Sequence, residues 1–80
     1  MELLKSGADK VVGTKQVLRA LKTGTPKRVY VANDADTFLF QQVIRAAEAA
    51  RVPVVRVASM KELGQASGVE VPAAAAAVLA

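Results

Sequence analysis

Lys15, Arg19 and Lys22 stand at i, i+4 and i+7 in the stretch Val12-Gly13-Thr14-Lys15-Gln16-Val17-Leu18-Arg19-Ala20-Leu21-Lys22. On a helix that spacing puts three cations on one face, while Val17, Leu18 and Leu21 share another that can pack inward. Gly13 lets the backbone turn, and the Thr14 hydroxyl is of the type that caps a first turn. A helix built this way offers free N–H groups, the positive end of its dipole and a cationic stripe. The chemistry of that combination is anion binding, and phosphate is the usual biological anion. The same spacing also describes a solvated amphipathic helix whose lysines serve only solubility.

Other reactive groups are few. Asn33, Asp34 and Asp36 cluster after an apolar run, where an open α/β sheet often holds ligands. Two carboxylates there suit magnesium or acid–base work, but the same residues commonly form turns and helix caps, and that is the simpler reading. Glu48 and Glu62 read as surface helix residues. The chain has no histidine and no cysteine, which excludes disulfides, the usual zinc sites and the Ser-His-Asp and Cys-His nucleophiles. No glycine-rich phosphate loop is present, and no paired aromatics offer a stacking platform for single strands. No catalytic set, metal site or cofactor is expected. The loop Gly68-Val69-Glu70-Val71-Pro72 carries two apolar side chains where a plain connector is usually polar. Val69 and Val71 are either buried or placed to touch an unstacked base.

Charge sharpens the first of these readings. Residues 1–28 hold seven basic groups against two acidic ones, and the remaining residues hold four against five. The excess therefore sits around the opening helix, as in an electrostatic footprint for a polyanion. The 80 residues form one small domain, residues 1–80, and with 52% hydrophobic but 4% aromatic residues its core must come from Val, Leu, Ile and Ala. No apolar run reaches the 18 to 20 or so residues that span a bilayer, and Met1-Glu2-Leu3-Leu4-Lys5 lacks a signal-peptide layout. A soluble, cytoplasmic protein without a membrane partner is expected.

The elements that must position these residues alternate. Met1–Ser6 reads as a helical turn and Lys10–Val12 as a short strand. A helix from Thr14 to Thr23 follows, stopped by Gly24 as a C′ residue and by Pro26 beyond it. Val29–Ala32 is a strand by its β-branched, apolar run. Asp36 or Thr37 can cap a helix from Phe38 to Ala50, with Phe38, Val43, Ile44 and Ala47 inward. Pro53 opens a strand over Val54–Val57, and Ser59 caps a helix from Met60 to Ala66. The alternation is that of an α/β fold with helices on both faces of a sheet. Pro72 followed by alanines favours a helix by propensity, but a strand from Ala74 to Leu79 would close the sheet, and the strand is preferred.

Two blocks carry a family resemblance: Val12-Gly13-Thr14-Lys15-Gln16-Val17 with Arg19-Ala20-Leu21, and Val57-Ala58-Ser59-Met60-Lys61-Glu62-Leu63-Gly64 with Gly68-Val69-Glu70-Val71-Pro72. They resemble the kink-turn RNA-binding ribosomal proteins, the archaeal L7Ae type and its short bacterial relatives, from about Ala8 to Val78. The resemblance implies a three-layer α/β/α sandwich with a mixed four-stranded sheet whose last strand is antiparallel. It implies a non-enzymatic protein that recognises and stabilises kink-turns, bent RNA duplexes with tandem sheared G·A pairs beside a bulge. The partner would be a structured RNA that contains a kink-turn, in the ribosome, in a regulatory RNA or in another ribonucleoprotein, and a monomer is expected. Carried over, Lys15, Gln16 and Arg19 contact guanine edges, Gly13 and Thr14 let the backbone approach, and Val69, Glu70 and Val71 cover the bulged nucleotides. Archaeal members usually have Asn-Glu where this chain has Lys15-Gln16, which shifts readout toward phosphate attraction. The rival reading is a protein–protein or oligomerisation module that uses Val69–Ala80 as an apolar interface.

Overall fold

The computed structural model describes residues 9–79 except Thr25 and Glu70. The helical turn expected over Met1–Ser6 lies outside the described residues. The elements run β1 (Lys10–Val12), α1 (Thr14–Thr23), β2 (Arg28–Ala32), α2 (Thr37–Ala49), β3 (Val54–Val57), α3 (Met60–Ala66) and β4 (Ala75–Val78).

The strands form one mixed sheet in the order β1-β4-β2-β3. β4 runs antiparallel to both neighbours, with Val12 opposite Ala76 and Tyr30 opposite Ala76 on the other side. β2 and β3 are parallel, with Val29 opposite Val54. The alternation of side chains along each strand separates two cores. Val29, Val31, Ala75 and Ala77 pack with Val17, Leu21, Val43 and Ala47 from α1 and α2. Tyr30, Ala32, Ala76 and Val78 pack on the opposite face with Leu63 and Ala66 from α3. This is the three-layer α/β/α arrangement.

The alanine tract is a strand because of where it lies. All four residues of β4 are buried, hydrogen-bonded between β1 and β2 and covered on both faces. Alanine's small side chain lets the helices approach a strand buried on both sides, and this tertiary fit overrides helix propensity. It also narrows what an interface over Val69–Ala80 has to work with. Ala73 and Ala75–Val78 are consumed by the chain's own core, leaving Val71 and Leu79 as the exposed large hydrophobics of that segment.

Three local expectations are corrected. Thr14 is the first helical residue and not the cap. Gly13 occupies the cap position, with φ 105°, and no side chain caps the turn. Gly24 ends α1 in extended backbone, φ −161°, with its N–H donating to the Ala20 carbonyl, so no left-handed C′ turn forms. Phe38 is not inward but 64% exposed. It stands five positions from buried Val43, about 140° around the helix, whereas Phe40 and Ile44 fall on the packed side.

Candidate nucleic-acid interface

β1 ends at Val12 and delivers Gly13 to the sheet edge where β4 begins, and the Gly13 N–H donates to the Ala75 carbonyl at 2.8 Å. Nothing lies within 4 Å of a Cβ built on Gly13, so its φ of 105° is the sole steric reason for glycine. From there α1 rises with Val17 and Leu21 buried and Lys15, Gln16 and Arg19 exposed. The Val17 N–H reaches the Gly13 carbonyl at 3.0 Å. The first-turn amides of Thr14, Lys15 and Gln16 receive no side-chain cap, and the first turn holds no acidic residue. Lys15 thus places positive charge at the positive end of the helix dipole, where an anion is the favoured neighbour.

The second half of the site is the loop between α3 and β4. Ser67 is buried and its hydroxyl donates to the Leu63 carbonyl at 2.7 Å. Gly68 turns the chain with φ 79°, and the Val69 N–H returns to the Gly64 carbonyl at 3.1 Å. The loop is drawn so tightly onto α3 that a Cβ on Gly64 would strike the Val71 carbonyl oxygen, with Pro72 Cα 3.3 Å away. Glycine in mid-helix costs helix stability, and here it makes room for that close approach. The result holds Val69 half-buried and Val71 67% exposed, beside Lys61, Gln65 and Pro72 around a hollow of about 270 Å³.

Two contacts join the halves. The Gly13–Ala75 hydrogen bond ties the start of α1 to the start of β4, just beyond the loop. A Cβ on Gly68 would lie 3.9 Å from Lys10 Nζ, so a side chain of β1 reaches the loop. Gly13, Thr14, Lys15, Gln16 and Arg19 are therefore brought to the same edge as Val69 and Val71. Glu70 lies outside the described residues. Gly64, Lys61, Gln65 and Lys10 are additions that the sequence reading missed. Only Gly64 left a signal, a glycine inside a helical stretch.

The acidic cluster takes the simpler of its two readings. Asp36 caps α2, its Oδ1 accepting from the N–H groups of Phe38 at 2.9 Å and Leu39 at 3.2 Å. Asp34 Oδ1 accepts from the Met60 N–H at 2.7 Å, tying the β2–α2 connector to the start of α3. Among the described residues no group of three or more acidic residues is placed to hold a metal. No helix among them is long and apolar enough to cross a membrane.

The model of the Ribosomal protein L7Ae/L30e/S12e/Gadd45 family matches residues 2–80. The RNA-binding protein YbxF of Geobacillus stearothermophilus is 52% identical over 69 residues, covering 86% of this chain and 84% of its own. An RNA-binding protein of Halalkalibacterium halodurans is 38% identical over 77 residues, covering 96% and 94%. The Giardia lamblia 15.5kD RNA binding protein superposes with a TM-score of 0.85 at 29% identity, covering 99% of this chain and 72% of that one. By sequence over nearly its whole length, and by fold, this chain belongs to the Ribosomal protein L7Ae/L30e/S12e/Gadd45 family.

Proposed function

We propose that this chain is a non-enzymatic RNA-binding protein that recognises kink-turns, with ribosomal RNA among its candidate partners, and that it acts as a cytoplasmic monomer. The observation that carries the reading is the convergence, on one sheet edge, of an uncapped cationic helix start with an apolar loop. Relatives and a structural neighbour described as RNA-binding proteins support it.

The division of labour follows from the chemistry. Sheared G·A pairs open groove edges that a regular A-form helix hides. Lys15 and Arg19 donate to guanine acceptors, and Gln16 can both donate and accept. Gly13 and Thr14 let backbone amides approach phosphates at the helix start. Exposed Val71 and half-buried Val69, with Glu70 between them, cover bulged nucleotides by apolar contact.

The test is a mobility-shift titration with a kink-turn RNA and with a control whose G·A pairs are replaced by Watson–Crick pairs, at two salt concentrations. The reading expects at least about tenfold tighter binding to the kink-turn. It also expects that difference to vanish when Lys15, Gln16 and Arg19 are all changed to alanine. Equal, salt-sensitive binding to both RNAs would reduce the site to generic attraction.

A further inference from the structure

A second basic feature lies away from this edge loop. An open groove of about 670 Å³ runs between α2 and β3, with Asn33, Thr37, Gln41, Arg45 and Arg56 along it and Phe40 in its wall. Arg56 lies on the outermost strand of the sheet, and its guanidinium carbon sits 5.1 Å from the centre of the Phe40 ring. Neither Arg45 nor Arg56 is in an ion pair among the described residues. Among the described residues Glu48 is the one acidic group lining the groove.

We infer that this groove is a second RNA-backbone subsite, which takes phosphates of the duplex arm leaving the primary site. The inference rests on the RNA-binding reading above. Guanidinium forks match phosphate oxygens, and stacking on Phe40 pre-organises Arg56 for that role. The amides of Asn33 and Gln41 and the Thr37 hydroxyl add uncharged donors of the kind that contact phosphate and ribose. A single charge on an edge strand also discourages unwanted strand pairing. That role needs Arg56 alone and leaves unexplained a polar groove with a second guanidinium. The placement fits a continuous footprint. β1 and β2 both run antiparallel to β4, so α1 and α2 start at the same edge, and the groove opens there at Asn33 and Thr37. From β1 to β3 is three strand spacings, about 14 Å. A duplex docked on the start of α1 can bridge that span.

The experiment uses the full chain, a kink-turn RNA with short arms, and the same RNA with each arm lengthened in turn by about ten base pairs. The variants are R45A/R56A and a charge-matched control, K27A/R51A, outside the groove; thermal melts establish that both are folded. For one long-armed RNA the groove variant should bind about tenfold more weakly at low salt, with a salt slope smaller by about one to two. Its affinity for the short RNA should stay within twofold. No loss on any long RNA, a loss of equal size on the short RNA, or the same loss in the control variant would each overturn the inference. The first of these would leave the groove to a protein partner. The parent reading fails differently, by equal binding of the unsubstituted protein to the short kink-turn and its Watson–Crick control. The groove would then be judged on plain duplexes of two lengths by the same criteria.

Discussion

Helices α1 and α2 share one face of the sheet and start at one edge, but their first turns are built in opposite ways. α2 starts with Asp36, whose carboxylate accepts two backbone N–H groups. α1 starts with Gly13, which has no side chain to offer, and continues through Lys15, which the dipole disfavours. α3, on the other face, repeats the α2 solution with Ser59 accepting from the Glu62 N–H. A chain optimised for stability alone would cap all three. The one start left open is the one tied to the start of β4, just beyond the apolar loop, so the unfavourable turn falls on the proposed binding surface.

The contrast is broken most directly by Lys15→Glu. An acid in the first turn should stabilise α1 by about 0.5 kcal/mol in urea unfolding. The same change removes a cation and adds repulsion at the proposed RNA contact. Affinity for a kink-turn should fall about a hundredfold, near 2.7 kcal/mol. Unchanged affinity with the expected gain in stability would make the start of α1 ordinary surface.

Gly64→Ala separates the two halves of the site, because it acts on the loop and leaves α1 untouched. The new Cβ must displace backbone, with Val71 C 3.2 Å and Pro72 Cα 3.3 Å away. Helix propensity gains about 1 kcal/mol and overpacking costs up to about 3 or more, for a net loss near 2 kcal/mol by urea unfolding. RNA affinity should fall several-fold as Val71 moves. Unchanged affinity would assign binding to α1 alone.

What the sequence disclosed follows from how local each determinant is. Asp36 and Ser59 cap the helices that they immediately precede, so α2 and α3 were legible to within a residue. The bounds of α1 were legible too, but its cap was misread by one position, because Gly13, with φ 105°, takes the cap position and leaves Thr14 inside the helix. The strand character of Ala75–Val78 comes from neighbours more than forty residues away in sequence, Val29 and Tyr30 among them; local propensity pointed to a helix, and only the need to close the sheet, supported by the family resemblance, pointed to a strand. Lys15 and Arg19 were readable from helical spacing as sharing one exposed face, and Gln16 entered through the family resemblance. The contact that makes Gly64 indispensable, and the groove that gathers Asn33, Arg45 and Arg56, were not. Each depends on segments brought together only by the completed sheet.

Asp36→Ala tests the capped side of the comparison. Losing both accepted bonds should cost about 1 kcal/mol of stability, with RNA affinity within twofold of the unsubstituted chain. A large affinity loss would mean that the start of α2 belongs to the primary contact.

The smallest effect expected is that of Phe38→Ser, and it decides which face of α2 belongs to the core. Phe38 is the second residue of α2, two positions past the Asp36 cap, and is 64% exposed, whereas Val43, about one and a half turns on, is 1% exposed. A side chain that keeps most of its surface in water in the folded state contributes little on folding, whatever its size. The serine substitution should therefore cost less than about 0.5 kcal/mol in urea unfolding. Val43→Ala, which removes fewer atoms, should cost about 2 kcal/mol, because it empties space between α2 and β2. The ordering inverts what residue size predicts. A cost at Phe38 equal to that at Val43 would turn the inward face of α2 by a third of a rotation and remove Phe40 as the support of Arg56.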